Sequence, residues 1–227
     1  MDDEIVKSAF KECLDSLDSF CKWFLSIAVI TWWAGLSSGT QVIKTLDIEI
    51  PRADAFVIVG ALYIIINFVF LFKLKRLRFL IHEAHQKNRI DLISMLLVHG
   101  WMLNPFGIFD KQENNNFLFN IQKSLLVIIW WLCNLSLFSL YPDFVASSAD
   151  LYVTAYILVL GIFLLIGLVS MIEIIGISKD LYAYAKDIND ESVRSKLLFL
   201  YKSIKPALVT GVIIGVAITY GVYELLF

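Results

Sequence analysis

Lys44 to Leu80 reads KTLDIEIPRADAFVIVGALYIIINFVFLFKLKRLRFL, and three changes of texture within it decide the class of fold. Leu46, Ile48 and Ile50 alternate with Asp47 and Glu49 up to Pro51, a period of two that predicts a short strand or extended linker. Pro51 would hold such a strand at an edge, because proline lacks a ladder donor. From Ala55 to Phe72 no side chain is charged. About 18 residues at a rise of 1.5 Å nearly cover a hydrocarbon core of about 30 Å. Lys73, Lys75, Arg76 and Arg78 then close the run. A charge-free span ending in a basic cluster predicts a transmembrane helix whose C-terminal end is cytoplasmic, since positive flanks resist translocation.

The rest of the chain agrees with that solvent. It is 227 residues long, 59% hydrophobic and only 18% charged, which is too apolar for an ordinary soluble domain. A net charge of −2 gives no general nucleic-acid surface, so no specific nucleic acid is expected as a partner. The first residues, MDDEIVKSAFKECLDSLDS, are acidic and lack a positive n-region, so no cleaved signal is expected. Cys13, Cys21 and Cys133 form no CxxC pair; packing is expected of them, and no disulfide.

Taken in order, Phe10, Leu14, Leu17, Cys21 and Phe24 recur at three- and four-residue steps, predicting an amphipathic helix that runs into a first span. The second span follows from Ala55, and its helix is expected to continue to about Gln86 on Leu74, Leu77, Phe79 or Leu80, and Ile81. Asp91 to His99 is apolar but too short to cross, and predicts an interfacial or re-entrant helix broken by Gly100, Asn104, Pro105 and Gly107. The polar segment 110–116 reads as an exposed loop. A third span ends at Tyr141-Pro142. A fourth reaches Ile172 and continues past Glu173 toward a turn at Asn189-Asp190, and an amphipathic return leads through Pro206 into a fifth.

The expected fold is therefore an all-α, polytopic membrane helix bundle, a single domain with five transmembrane helices near 22–36, 55–72, 124–140, 151–172 and 207–226. The segments 1–21, 73–123 and 177–205 form cytoplasmic helical extensions. Of 19 Lys and Arg, only Lys44 and Arg52 fall outside in this layout, which sets the N-terminus in the cytoplasm and the C-terminus outside.

Few residues within the spans invite chemistry. Ala207, Gly211, Gly215 and Thr219 recur every four residues and form a small-residue groove for another helix, either the fourth span or a second copy of the chain. Asn67, Asn134 and Thr31 are polar positions inside spans, suited to interhelical hydrogen bonds or to a pore lining. Trp130-Trp131 sits in mid-span and should face the bundle, with Asn67 or a backbone carbonyl as an acceptor. His82-Glu83-Ala84-His85 is one residue short of a metalloprotease motif, and with His99 offers too poor a ligand set to assign a metal. The sequon at Asn134 lies inside a span. No nucleophile elbow, phosphate loop or carboxylate pair is present, so neither an enzyme nor a cofactor is expected.

Ile50, Pro51 and Phe56 at the start of the second span, with Trp101, Asn104 and Pro105 further on, give residues 30–144 a likeness. The chain there resembles a bacterial membrane module often joined to pentapeptide-repeat segments, and no such repeat occurs here. The resemblance implies a bacterial inner (plasma) membrane protein and carries no catalytic residue. Together these readings predict a homo-oligomeric membrane anchor or effector, in contact with membrane lipids, that recruits or responds to a cytosolic protein partner, as the membrane subunit of an anti-phage defence system would. The alternative is a ligand- or stress-gated ion channel with its pore at the oligomer axis.

Overall fold

A computed structural model describes residues 3–37, 42–45, 48–84, 86–100, 104–107, 116–138, 140, 150–186, 188 and 190–226. The described residues form six helices and one two-stranded hairpin. Helix α1 (Asp3–Ser37) is followed by strands β1 (Val42–Thr45) and β2 (Ile48–Pro51), then by α2 (Arg52–Glu83) and α3 (Gln86–Val98). Helices α4 (Asn116–Phe138), α5 (Asp150–Ala185) and α6 (Glu191–Leu226) complete the chain.

The amphipathic helix expected at the start is the first half of α1. Phe10, Leu14, Leu17, Cys21 and Phe24 are all buried, and the helix runs on unbroken to Ser37. The alternating segment expected as one strand or linker over residues 44–50 is instead divided between two strands: β1 and β2 pair antiparallel, with Val42 opposite Pro51 and Thr45 opposite Ile48. Pro51 is tolerated because it ends the ladder, and α2 starts at the next residue with Asp54 in its first turn, where a carboxylate suits the helix dipole. The α2 continuation buries Leu74, Leu77, Leu80 and Ile81 and leaves Phe79 exposed, so Leu80 supplies the inward side chain.

Three of the described helices are long and apolar enough to cross a membrane, over Asp54–Glu83, Ile157–Ala185 and Glu191–Ile218. The first of these stretches contains the second expected span, and the other two overlap the fourth and fifth. The third is present as a shorter apolar segment, Lys123–Cys133 in α4, and the first belongs to α1. Pro206 does not interrupt α6. Asp190 caps that helix, its Oδ1 accepting the N–H groups of Ser192 at 2.9 Å and Val193 at 3.2 Å.

The five long helices close into a ring in which α1 packs on α2, α2 on α5, α5 on α6, α6 on α4 and α4 on α1. Contacts set their directions. Cys13 and Phe24 of α1 meet Lys73 and Tyr63 of α2, so these two run antiparallel. Gly60 meets Val159 and Arg78 meets Glu173, so α2 and α5 run parallel. Tyr182 stacks on Tyr201, making α5 and α6 antiparallel, and Ser124 and Val127 meet Ala207 and Gly211, making α4 and α6 parallel. Aromatic rings fill the centre. Phe24, Tyr63, Phe163 and Trp130 follow one another at centroid distances of 6.1, 5.8 and 5.2 Å, linking α1, α2, α5 and α4. Tyr63, 0% exposed, donates its hydroxyl proton to Ser136 at 2.8 Å, whose own proton goes to the Cys133 carbonyl, so this buried polar pair is satisfied.

Helix α3 lies along α1 and runs parallel to it, held by an ion pair between Lys7 and Asp91 and a contact of His99 Nε2 with Asp15 at 3.1 Å. Asn104 closes its end. Its side-chain amide donates to the carbonyls of Leu96 and His99, and its Oδ1 accepts the Phe106 N–H. Lys123, 1% exposed at the start of the apolar part of α4, donates to the Pro105 carbonyl at 2.6 Å. Residues 104–107 are thereby tied both to α3 and to α4.

Candidate interaction face and bundle interior

The basic cluster after the second span divides among three uses. Lys73, mostly buried, reaches toward Glu12 of α1 at 3.9 Å, while Lys75 and Arg76 are exposed. Arg78 turns across the bundle. Its Nε donates to Asp180 at 2.6 Å and its Nη1 to Glu173 at 3.3 Å, both on α5. The guanidinium passes close over Gly176, where a Cβ would lie 2.9 Å from Nη1.

One turn further along α2, His82 extends the same network. Its Nε2 is 3.1 Å from Asp180, and its Nδ1 is 2.6 Å from the Tyr184 hydroxyl. The tautomer protonated on Nε2 satisfies both contacts. Arg89 stands over the Tyr184 ring at 4.3 Å and donates to the carbonyls of Ile81, His82 and Ala84, which the end of α2 leaves without helical partners. Six side chains thus bind the end of α2, the start of α3 and the extension of α5 into one polar layer. Sequence reading did not assemble it. Arg78 and His82 at i,i+4, and Glu173 and Asp180 at i,i+7, do share one face of each helix, but periodicity does not say that those faces meet.

The groove on α6 is filled from within the chain. The Ser124 hydroxyl donates to the Ala207 carbonyl at 2.7 Å. A Cβ at Gly211 would lie 2.7 Å from Val127, and one at Gly215 would overlap Trp131. The occupant is α4, not the fourth span: Val127 and Trp131, four residues apart, seat against Gly211 and Gly215. The side chain of Thr219 lies outside the described ones. Trp130 faces inward over Gly167 and stacks on Phe163, whereas the half-buried Trp131 serves the α6 contact, its indole N–H without an acceptor among the described residues.

Asn67 and Thr31 are both buried in the bundle, at 2% and 4% exposure. The Asn67 amide nitrogen has no hydrogen-bond partner among the described residues and lines a small cavity of about 40 Å³ with Phe24, Phe70, Trp130 and Ser170. No hydrogen bond joins Asn67 to either indole among the described residues, so of the two acceptors expected from the sequence Asn67 is not the one found. The Asn134 side chain and His85 lie outside the described residues. His82 and His99 engage different helices, α5 and α1, and do not converge. All three cysteines are buried, and Cys13 donates to the Lys73 carbonyl at 3.2 Å, so packing accounts for them. Burial pushes the Cys13 thiol up, ahead of the opposing influence of Lys73 and Arg76.

The chain is thus an all-α helical protein with three helices suited to crossing a membrane. No family model matches it, and neither a curated protein nor a solved structure is similar to it. The likeness at Ile50, Pro51, Phe56, Trp101, Asn104 and Pro105 rests on those residues of the sequence alone.

Proposed function

We propose that the chain is a five-span anchor or effector of the bacterial inner membrane, N-terminus inside and C-terminus outside, that engages a cytosolic protein partner. The observation that carries this reading is the polar layer at Arg78, His82, Arg89, Glu173, Asp180 and Tyr184. It joins helices that are continuous with the apolar stretches, so a load applied to the extensions is delivered to the spans through helix and ion pair rather than through loops. The five-span topology is supported by the helix directions: α1, α4 and α6 run one way, α2 and α5 the other, as alternating crossings require. Exposed Val29, Ile30 and Trp33 on α1 suit contact with lipid.

Homo-oligomerisation is part of the proposal, with the outer apolar face of α6, at Val209, Ile213 and Val216, as its contact, since α4 occupies the small-residue face. Membership of a defence system stays with the same reading, and no catalytic role or cofactor is assigned. Photo-crosslinkers placed at exposed Lys11 and Arg194, and at outward-facing Leu165 of α5 as control, test the partner. A discrete protein adduct from the first two positions is expected; chaperones and lipids alone from an intact-protein pull-down would contradict it.

The channel reading has one observation in its favour, the buried amide of Asn67 beside the interior cavity. It requires that Asn67→Leu change conductance in liposomes, and a membrane that stays sealed under every condition removes it.

A further inference from the structure

We propose that the membrane-proximal face of the hairpin between α5 and α6 binds the headgroup of an anionic phospholipid. Lys179, Lys202 and Lys205 are exposed there, and none pairs with a carboxylate among the described residues. The described acids of the same hairpin are engaged or distant: Asp180 and Glu173 turn inward to Arg78, and Asp190 and Glu191 lie at the far tip. The local charge on the membrane side is therefore positive.

Height agrees with charge. Counting from Ala207 at 1.5 Å per residue, Lys205 and Lys202 stand roughly 3 and 8 Å above the hydrocarbon edge, and the stacking of Tyr182 on Tyr201 sets Lys179 level with residue 204, at roughly 5 Å. The headgroup layer occupies roughly 5–8 Å on each side, and a lysine stem can bend several ångströms to reach it. Tyr182 and Tyr201 stack at 4.4 Å just above, and Lys205 lies 5.8 Å from the Tyr201 ring, so amphipathic rings border the cations as they do at membrane interfaces. Pro206 adds an acceptor. Having no N–H, it leaves the Lys202 carbonyl without its helical donor, at the level where a headgroup hydroxyl would lie. Three cations and one backbone acceptor suit a phosphodiester carrying hydroxyl groups, such as phosphatidylglycerol.

The inference rests on the placement of α5 and α6 in the bilayer and is independent of any cytosolic partner. Its test uses the full chain in nanodiscs of mixed phosphatidylcholine and phosphatidylglycerol, released and weighed by native mass spectrometry. Wild type is expected to retain phosphatidylglycerol preferentially. Lys179→Gln, Lys202→Gln and Lys205→Gln together should weaken that preference, by about fivefold per charge removed. The corresponding Lys→Arg variant should keep it, as should Lys11→Gln with Arg194→Gln, which removes away from the interface as much charge as Lys202→Gln with Lys205→Gln removes at it. If the triple Gln variant does not fold, the single exposed substitutions Lys202→Gln and Lys205→Gln carry the same comparison. Equal retention of both lipids by wild type, equal loss in the distant-charge control, or displacement of the lipid by soluble glycerol phosphate would each overturn the proposal.

Discussion

At Gly215 the absence of a side chain is what lets α4 and α6 approach, because Trp131 occupies the space a Cβ would take. Overpacking of that kind costs about 1–3 kcal/mol, and here it falls on a ring that cannot retreat without displacing the neighbouring helix. Gly215→Leu should therefore lower the unfolding midpoint in detergent; an unchanged midpoint would mean the two helices are not in contact there. Asn67→Leu carries the opposite sign. It removes a buried donor that has no partner among the described residues, and an unsatisfied group costs about 1–3 kcal/mol, so stability should hold or rise. A clear loss would show that the amide is bonded in the folded protein. The cysteines offer a cheaper check: with all three buried and Cys13 further quietened by its raised pKa, maleimide at neutral pH should label the native protein poorly and the denatured protein fully.

Between elements, the decisive link is Arg78. Its two carboxylates lie 95 and 102 residues away in the chain, which is why local pattern announced the basic cluster but not its destination. The same limit hid the occupant of the α6 groove: four-residue steps of small side chains announce that something packs there, and only the bulk of Val127 and Trp131 says what. By contrast, the buried face of α1 and the continuation of α2 were legible, because three- and four-residue spacing of apolar residues is itself the geometry of a helix face. The hairpin was half legible, since alternation marked β2 while β1, Val42–Thr45, has no partner pattern of its own. Arg78→Met should loosen the α2–α5 contact by about 1–2 kcal/mol, the lower part of the range for charged hydrogen bonds, since the guanidinium is 36% exposed. Faster amide exchange confined to the end of α2 and the extension of α5 is the expected signature; exchange unchanged there would dismiss the layer as a surface feature.

On the scale of the whole molecule, the ring of α1, α2, α5, α6 and α4 gives each helix two neighbours and an outward side. The outward sides of α2, α5 and α6 carry Ile65, Phe72, Leu165, Ile172 and Ile213, large apolar residues between 56% and 66% exposed, which only lipid or a second copy would cover favourably. Composition made the membrane class plain; it could not distribute the crossings, because α1 and α4 mix apolar faces with polar beginnings. A protein mass in mild detergent equal to a multiple of 25.9 kDa is expected from the oligomer proposal, and a monomer would remove it together with any axial pore.

The number of crossings is tested most directly by alkaline phosphatase and green fluorescent protein fused in turn after Asp110 and after Ser147, on either side of α4. Five spans predict opposite sides: fluorescence without phosphatase activity at Asp110, and phosphatase activity without fluorescence at Ser147. The same reporter active at both sites would mean that α4 does not cross the membrane, and would contradict the five-span account.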